Sequence, residues 1–235
     1  MIKRRHLREL ERSGLSRETI QKAGIFSADG KQVKDALGFN RTGEGGLAFP
    51  YPSLSPESQG QADAAYMRVK PNRPKGTGKD WSRMAKYLSP KDSTNRLYAP
   101  GLEKTLADPD VPLVFTEGEK KTLKANQEGI PTVGLAGVWG EFAGRKETGS
   151  SPVIPDLDKV NLKDRQVRIA FDSDLAQKKH VERAEAALAR ELKARGARVE
   201  AVCLPDGPGG KKVGLDDYLL THTKEDFEKL PKKAY

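Results

Sequence analysis

The C-terminal part of the chain alternates apolar strand-like segments with helix-like segments, and this pattern constrains the fold more than any other feature. The strand-like segments are VPLVF, IPTVGL, QVRIAF and ARVEAV, and helical segments such as EKKTLKANQEG and QKKHVERAEAALARELKARG lie between them. Parallel strands need crossover connections of this kind, and the crossover helices cover both faces of the sheet. The sequence therefore predicts an α/β domain over residues 105–235, with a mostly parallel sheet flanked by helices.

Residues 1–104 have a different pattern, which predicts a smaller basic α+β subdomain. Two short helices are expected within residues 3–25, and GLAFPYP (46–52) and AAYMRVK (64–70) have the composition of strands. Residues 27–45 are polar and glycine-rich, so we expect little regular structure there. We expect the helical pair to pack on the core; contact with nucleic acid is the alternative.

The excess of positive over negative charge lies entirely in the N-terminal part of the chain. Residues 1–100 contain 19 lysine and arginine residues against 10 acidic residues, whereas residues 101–235 contain 23 of each, for a net charge of +9. This asymmetry suits a polyanion-binding surface beside a more neutral module, although a merely solvated basic surface is the alternative.

Membrane, secreted and zinc-binding classes are not expected. No apolar stretch approaches the ~20 residues that span a bilayer, and MIKRRHLREL lacks the apolar region of a secretory signal, so we expect a cytoplasmic protein. A single cysteine, Cys203, excludes an intramolecular disulfide and a multi-cysteine zinc module. Because Cys203 lies in an apolar segment, its thiol is expected to be buried.

Acidic residues follow three of the segments in the C-terminal part. They occur in Thr116-Glu117-Gly118-Glu119, in Asp172-Ser173-Asp174 and in Asp216-Asp217. Ligands of parallel sheets bind at the carboxyl ends of the strands, so these side chains are expected to converge. Converging carboxylates repel each other unless a cation neutralises them, and Mg²⁺ prefers oxygen ligands of this kind. The sequence predicts metal-assisted phosphoryl or nucleotidyl transfer, or phosphodiester cleavage.

Each acidic motif also has an ordinary structural explanation. An Asp-x-Asp after a strand is often a solvated turn, and an acidic residue at the start of a helix is favoured by the helix dipole. The dipole explains Glu119, Asp216 and Asp217 as well as metal binding does. Glu117, Asp172 and Asp174 are the stronger candidates because their motifs occur together, in this order, at the ends of predicted parallel strands.

The motifs VFTEGEKK and IAFDSDLAQ resemble those of the toprim domain, which topoisomerases, bacterial-type primases and related nucleases share. TVGLAGVWG is similar to the glycine-containing turn after the second toprim strand, and LPDGPGGKKVGLDDYL is similar to the primase segment after the last one. The resemblance implies a toprim-like fold in which Glu117, Asp172 and Asp174 are catalytic and hold Mg²⁺ or Mn²⁺. It assigns Asp216 as an additional metal ligand.

Upstream segments favour the primases within this family. The order GLAFPYP, AAYMRVK, AKYLSP and RLYAP is similar to the basic subdomain that precedes toprim in bacterial-type primases. This implies template-directed primer synthesis on single-stranded DNA from nucleoside triphosphates, with a replicative helicase as a candidate partner. The candidate nucleotide-binding and nucleic-acid-binding residues are Arg68, Lys70, Lys86, Arg96 and, as a base-stacking side chain in a polar loop, Trp81.

Two positions depart from the family pattern, and other functions stay open. Lys121 stands where the family often has an acidic residue, and Gly214 stands where primases often have the first aspartate of Asp-Pro-Asp. One alternative is a toprim nuclease that uses the same carboxylates. Another is a non-catalytic module that binds nucleic acid within a replication protein of a plasmid, phage or mobile element. A type IA topoisomerase fragment is disfavoured, because nothing resembles its strand-passage or tyrosine-nucleophile segments.

Overall fold

The computed structural model describes residues 1–40, 43–55, 62–72, 86–142, 152–173 and 179–235, with the backbone alone described for 62–65. Asp174 and Trp81, which the sequence assigns to metal binding and base stacking, lie outside these ranges. No helix in the described ranges is both long and apolar enough to cross a bilayer.

The N-terminal part is a small antiparallel sheet with helices on both faces. In the described ranges the sheet has three strands in the order β1-β2-β3, which are Phe26–Ala28, Gly46–Pro52 and Ala62–Pro71. The helices α1 (Arg4–Arg12) and α2 (Arg17–Lys22) pack on one face through Leu10 and Ile20, and α3 (Gly30–Leu37) packs on the other through Val33 and Leu37. The predicted packing of the first two helices on the core is confirmed.

Helix α3 contradicts the expectation of little regular structure in residues 27–45. Asp29 accepts a hydrogen bond from the backbone N–H of Gln32, whose side chain accepts one from the backbone N–H of Asp29. This reciprocal capping satisfies the first turn, and Gly38 ends the helix in the left-handed conformation at φ 75°. The capping residues and Gly38 are readable in the sequence, but the loop-like composition hid them.

The C-terminal part is a mainly parallel sheet, as predicted. In the described ranges its five strands have the order β5-β4-β6-β7-β8, and only β8 is antiparallel to its neighbour. The strands are β4 (Leu113–Glu117), β5 (Thr132–Leu135), β6 (Gln166–Ile169), β7 (Arg198–Val202) and β8 (Lys232–Ala234). The helices are α4 (Glu103–Ala107), α5 (Glu119–Gln127), α6 (Lys179–Ala194), α7 (Leu215–Tyr218) and α8 (Lys224–Lys229), with a 3-10 helix at Pro155–Lys159.

Helices cover both faces of this sheet. Successive residues of each strand point to opposite faces, so both sets of side chains are buried. In β4, Leu113 and Phe115 pack in the same cluster as Leu188 of α6. Val114 packs on the opposite face, in the cluster that contains Ala125 of α5 and Phe227 of α8. Burial on both faces accounts for the continuous apolar strands in the sequence and confirms the predicted α/β class.

The segment between the two sheets connects them through Tyr98, whose ring packs against Tyr51 of the small sheet. Tyr98 exchanges two backbone hydrogen bonds with Gly134 at the edge strand β5, with N···O distances of 2.9 and 2.8 Å. Leu123 of α5 also packs in the cluster that contains Leu10 and Tyr51. These contacts bring the small sheet and the start of α5 together, which builds the walls of the site described below. The domain boundary between residues 104 and 105 stays a prediction.

Cys203 corrects an expectation of the sequence, since its thiol is exposed. It lies between buried Val202 and buried Leu204, so the alternation of an extended backbone directs its side chain to the opposite side. An apolar sequence neighbourhood was therefore a poor guide to its burial.

Glu141 is a fully buried carboxyl group, and among the described residues neither of its oxygens has a hydrogen-bond partner. Burial raises its pKa from the ordinary value of 4.5 to about 7. The unfolded chain releases this proton at lower pH than the folded protein does, so the free energy of unfolding falls as pH rises from about 4.5 to about 7. The loss is on the order of 3 kcal/mol at most.

We therefore expect Glu141→Gln to be more stable than the wild type at pH 8 and equally stable at pH 4. Urea unfolding at the two pH values measures the difference. An equal gain in stability at both pH values would mean that packing, not ionisation, separates the two proteins.

Candidate active site

The acidic motifs meet where the strand order of the parallel sheet reverses. Strand β4 lies between β5 and β6, and ligands of such sheets bind at the carboxyl ends of the strands beside this point. Glu117 is the last residue of β4, and Asp172 follows β6 closely. Both line a cleft of about 300 Å³, which we call the central cleft. Its lining residues are Lys70, Lys86, Tyr87, Glu117, Gly118, Glu119, Lys120, Lys121, Asp172, Lys212, Gly214, Asp216 and Asp217.

Gly118 makes the sharp turn from β4 into α5. Its φ of +94° is a conformation that side chains rarely adopt, whereas a Cβ there would meet no atom within 4 Å. The glycine is therefore required by the backbone and not by crowding. The turn directs the N-terminus of α5, with its partial positive charge, toward the central cleft.

Asp172 is neutralised by two lysines. Its carboxylate is buried and forms ion pairs with the ammonium groups of Lys121, on α5, and Lys212, in the loop before α7. Burial alone would raise the pKa of this carboxyl, but the two positive charges outweigh burial and hold the pKa below its ordinary value. Asp172 is therefore ionised at neutral pH without any bound metal.

Asp216 lies in the same cleft at the start of α7. Burial and the neighbouring charge of Asp217 raise the pKa of its carboxyl, while Lys121 and Lys120 act in the opposite direction. Asp216 is 8% exposed and Asp172 is 7% exposed, so both carboxylates are largely withdrawn from water. Glu117, Asp172 and Asp216 all line the central cleft, so the structure brings these three predicted residues together.

Arg68 lies behind the cleft in a buried polar cluster. Its Nη1 is 2.8 Å from Oε1 of Glu119, and the hydroxyl of Tyr51 donates to the same oxygen at 2.8 Å. The Arg68 side chain is 11% exposed and that of Glu119 is 1% exposed. The Arg68 guanidinium also lies 5.4 Å from the centre of the Tyr87 ring. These contacts join the small sheet to α5, and the predicted role of Arg68 in binding phosphate stays a prediction.

Lys70 and Lys86 line the central cleft and also a second concavity of about 410 Å³ beside α1, which we call the α1 groove. Lys70 pairs with Glu9 of α1 at 2.6 Å. Lys86 is exposed and forms no ion pair with any other described residue. The α1 groove is lined by Arg5, His6, Glu9, Arg12, Leu47, Lys70, Pro71, Asn72 and Lys86. The two lysines thus connect a basic groove to the acidic strand ends.

Arg96 is not among the residues that line the central cleft. Its Nε is 3.4 Å from a carboxylate oxygen of Asp156, and its guanidinium lies 5.3 Å from the centre of the Tyr66 ring. Nothing in this arrangement directs Arg96 toward Glu117 or Asp172. Its predicted role in nucleic-acid binding is untested.

The donor types of the cleft suit a hard divalent cation, because Glu117, Asp172 and Asp216 are carboxylates that line it. However, no group of three acidic, histidine or cysteine side chains in the described ranges is arranged to hold a metal ion. Lys121 and Lys212 engage Asp172, and Asp174 is outside those ranges. The chemistry of the donors fits Mg²⁺, and a metal ion in the cleft stays a prediction.

Sequence reasoning missed the two lysines that hold Asp172. Lys121 is a departure from the family pattern in the sequence, and its place in the first turn of α5, just after Glu117 and Gly118, is the one signal that could have placed it at the site. Lys212 had no local signal, because it follows a glycine-rich loop after β7. The role of Gly214 as a neighbour of Lys121 was also invisible without the structure.

Solved structures share this fold. The Aquifex aeolicus primase, with its zinc-binding and RNA polymerase domains, matches with a TM-score of 0.64 and 15% identity over 98% of this chain and 57% of that one. The E. coli primase catalytic core matches with a TM-score of 0.56 and 21% identity over 95% of this chain and 71% of that one. A DnaG primase catalytic domain bound to ssDNA matches with a TM-score of 0.54 and 19% identity over 95% of this chain and 71% of that one. The chain therefore has the fold of a primase catalytic core.

Sequence comparisons give a family without a described activity. An uncharacterized protein of Picosynechococcus sp. is 28% identical over 128 residues, which are 51% of this chain and 12% of that protein. The chain thus corresponds to a small part of that relative's length. A family model described as a domain of unknown function, DUF3854, matches residues 102–226. Since the match covers more than half of the 235 residues and contains all the described carboxylates of the cleft, the chain belongs to the DUF3854 family.

Proposed function

We propose that this chain is the catalytic core of a DNA primase, which synthesises primers from nucleoside triphosphates on a single-stranded DNA template. The observation that carries the proposal is the central cleft, where Glu117, Asp172 and Asp216 face Lys70 and Lys86 of the basic N-terminal part. Solved primase cores share the fold, and the structure of one of them is bound to ssDNA.

In this proposal Glu117, Asp172 and Asp174 would hold Mg²⁺, or Mn²⁺ in its place. When bound, the ion stabilises negative charge on the phosphates of a nucleotide and lowers the pKa of the attacking 3′-hydroxyl. Glu117 lies at the strand end and is half-buried, so it is the residue that would share the ion or accept the proton of that hydroxyl.

The basic residues of the cleft would position the polyanions. Lys86 is exposed at the junction of the two concavities, so its ammonium can contact a phosphate in either one. Lys70 is held by Glu9, which fixes its position at the same junction. A template strand would run along the α1 groove, past Arg5 and Arg12, into the central cleft. Trp81 would stack on a template base.

A priming assay tests the proposal. The protein is incubated with single-stranded DNA, labelled nucleotides and Mg²⁺ or Mn²⁺, and the expected product is a short complementary strand. A parallel reaction with labelled DNA and no nucleotides detects the nuclease alternative. Cleavage without synthesis would assign the same carboxylates to phosphodiester hydrolysis.

A second candidate function is a non-catalytic module that binds nucleic acid. The ion pairs of Asp172 with Lys121 and Lys212 favour it, because they neutralise the strongest candidate metal ligand from within the chain. Absence of both synthesis and cleavage, with DNA binding retained, would establish this function and reject the primase.

Lys86→Ala should weaken binding of single-stranded DNA several-fold at low salt, with little dependence on base sequence. Loss of one phosphate contact should also reduce the slope of log K against log[salt] by roughly 0.7. Fluorescence anisotropy with a labelled oligonucleotide over a range of salt concentrations measures both quantities. Lys104→Ala is the matched control, since Lys104 is an exposed lysine on α4 that lines neither concavity. An unchanged salt slope in Lys86→Ala would remove Lys86 from the binding surface.

A further inference from the structure

The two departures from the family pattern, Lys121 and Gly214, are neighbours in the structure. A Cβ on Gly214 would lie 2.9 Å from Cε of Lys121, 2.9 Å from Oδ1 of Asp216 and 3.2 Å from Oδ1 of Asp172. The lysine side chain and the two carboxylates therefore converge on the space that a larger residue at position 214 would fill.

A side chain at position 214 would crowd the ends of the Lys121, Asp172 and Asp216 side chains, whereas the backbone conformation of Gly214 would accept one. Its φ of −89° and ψ of 166° are extended values that any residue adopts. A side chain there would have to displace the lysine or one of the carboxylates. The glycine at 214 and the lysine at 121 thus form a matched pair, in which one makes room for the other.

The ammonium of Lys121 pairs with Asp172. Cε of the same lysine and Oδ1 of Asp216 both lie 2.9 Å from the Cβ position of Gly214, so the lysine side chain also lies beside Asp216. Asp172 and Asp216 are both largely buried, and neighbouring buried carboxylates repel each other unless a positive charge lies close by. Lys121 is 18% exposed, whereas Lys212, the other partner of Asp172, is 51% exposed. A divalent ion between Asp172 and Asp216 would have to expel the Lys121 ammonium, leaving a buried charge without its partner.

We propose that the Lys121 ammonium permanently takes the place of a divalent ion between Asp172 and Asp216. Divalent metal then has one position in the cleft, on the Glu117 side of Asp172. This inference rests on the metal site of the proposed function. It assigns Lys121 as the residue that determines how many metal ions the site accepts.

Counting bound Mn²⁺ tests the inference without any assay of activity. Free Mn²⁺ is measured by electron paramagnetic resonance during titration of the wild-type chain, Lys121→Glu and Lys121→Met. We expect at most one ion in the wild type, a second one in Lys121→Glu, and at least tenfold tighter Mn²⁺ binding in Lys121→Met. Lys104→Glu, which makes the same change of net charge on exposed α4, should behave as the wild type does.

Thermal unfolding with and without Mn²⁺ covers the case in which a variant is unstable. The metal should raise the melting temperature of both Lys121 variants more than that of the wild type, because it replaces the lost ammonium. Equal stoichiometry and affinity in all the proteins, an equal gain in Lys104→Glu, or Lys121 variants that Mn²⁺ fails to stabilise would overturn the inference. Primer synthesis by the wild type tests the proposed function separately, since a difference in metal count can exist without synthesis.

Discussion

Asp172→Asn should reduce Mg²⁺-dependent primer synthesis by about a thousandfold, which corresponds to about 4 kcal/mol of lost transition-state stabilisation. Asparagine keeps the shape of the side chain but removes the charge that would hold the metal. One amide oxygen still accepts from Lys121 or Lys212, so the variant should fold. Synthesis on single-stranded DNA with labelled nucleotides measures the effect, and circular dichroism verifies the fold.

The control for this prediction is Asp206→Asn, which removes the same charge at an exposed position outside the cleft. Its activity should equal that of the wild type. If Asp172→Asn retains synthesis within tenfold of the wild type, Asp172 does not hold the catalytic metal, and the assignment of this cleft as the active site fails.

Arg68→Met should lower the free energy of unfolding by about 3–5 kcal/mol, the typical cost of leaving one member of a buried ion pair without its partner. Glu119 is 1% exposed and receives hydrogen bonds from Arg68 and Tyr51. Without the Arg68 guanidinium, the Glu119 carboxylate would stay buried and would keep only one of these two donors, the Tyr51 hydroxyl. Urea unfolding at neutral pH measures the change.

The double variant Arg68→Met, Glu119→Gln should recover most of the lost stability, because no buried charge is then left unpaired. Lys86→Met, at an exposed position of the same cleft, should change stability by less than about 0.5 kcal/mol. If Arg68→Met costs no more than Lys86→Met, the ion pair is not structural, and the guanidinium is available for the phosphate contact that the sequence predicts.

The class of fold and the location of the acidic motifs can be predicted from the sequence. Apolar segments buried on both faces need crossover helices between them, and carboxyl ends of parallel strands share one edge of a sheet. Those two facts are sufficient to predict that Glu117 and Asp172 lie close together. Local capping signals at Asp29 and Gly38 were equally readable, but glycine-rich composition concealed α3.

Which charged side chains form pairs depends on the tertiary packing and cannot be predicted from the motifs. Arg68 and Glu119 are 51 residues apart in the chain, and their pairing depends on how the small sheet packs against α5. Lys212 reaches Asp172 because the loop before α7 is held beside the end of β6, where Val213 and Ser173 form two hydrogen bonds. Side-chain periodicity predicts which face of an element is buried, whereas ion pairs depend on positions of a few atoms across separate elements. For that reason the neutralisation of Asp172 by lysines could not be read from the motifs that identified it.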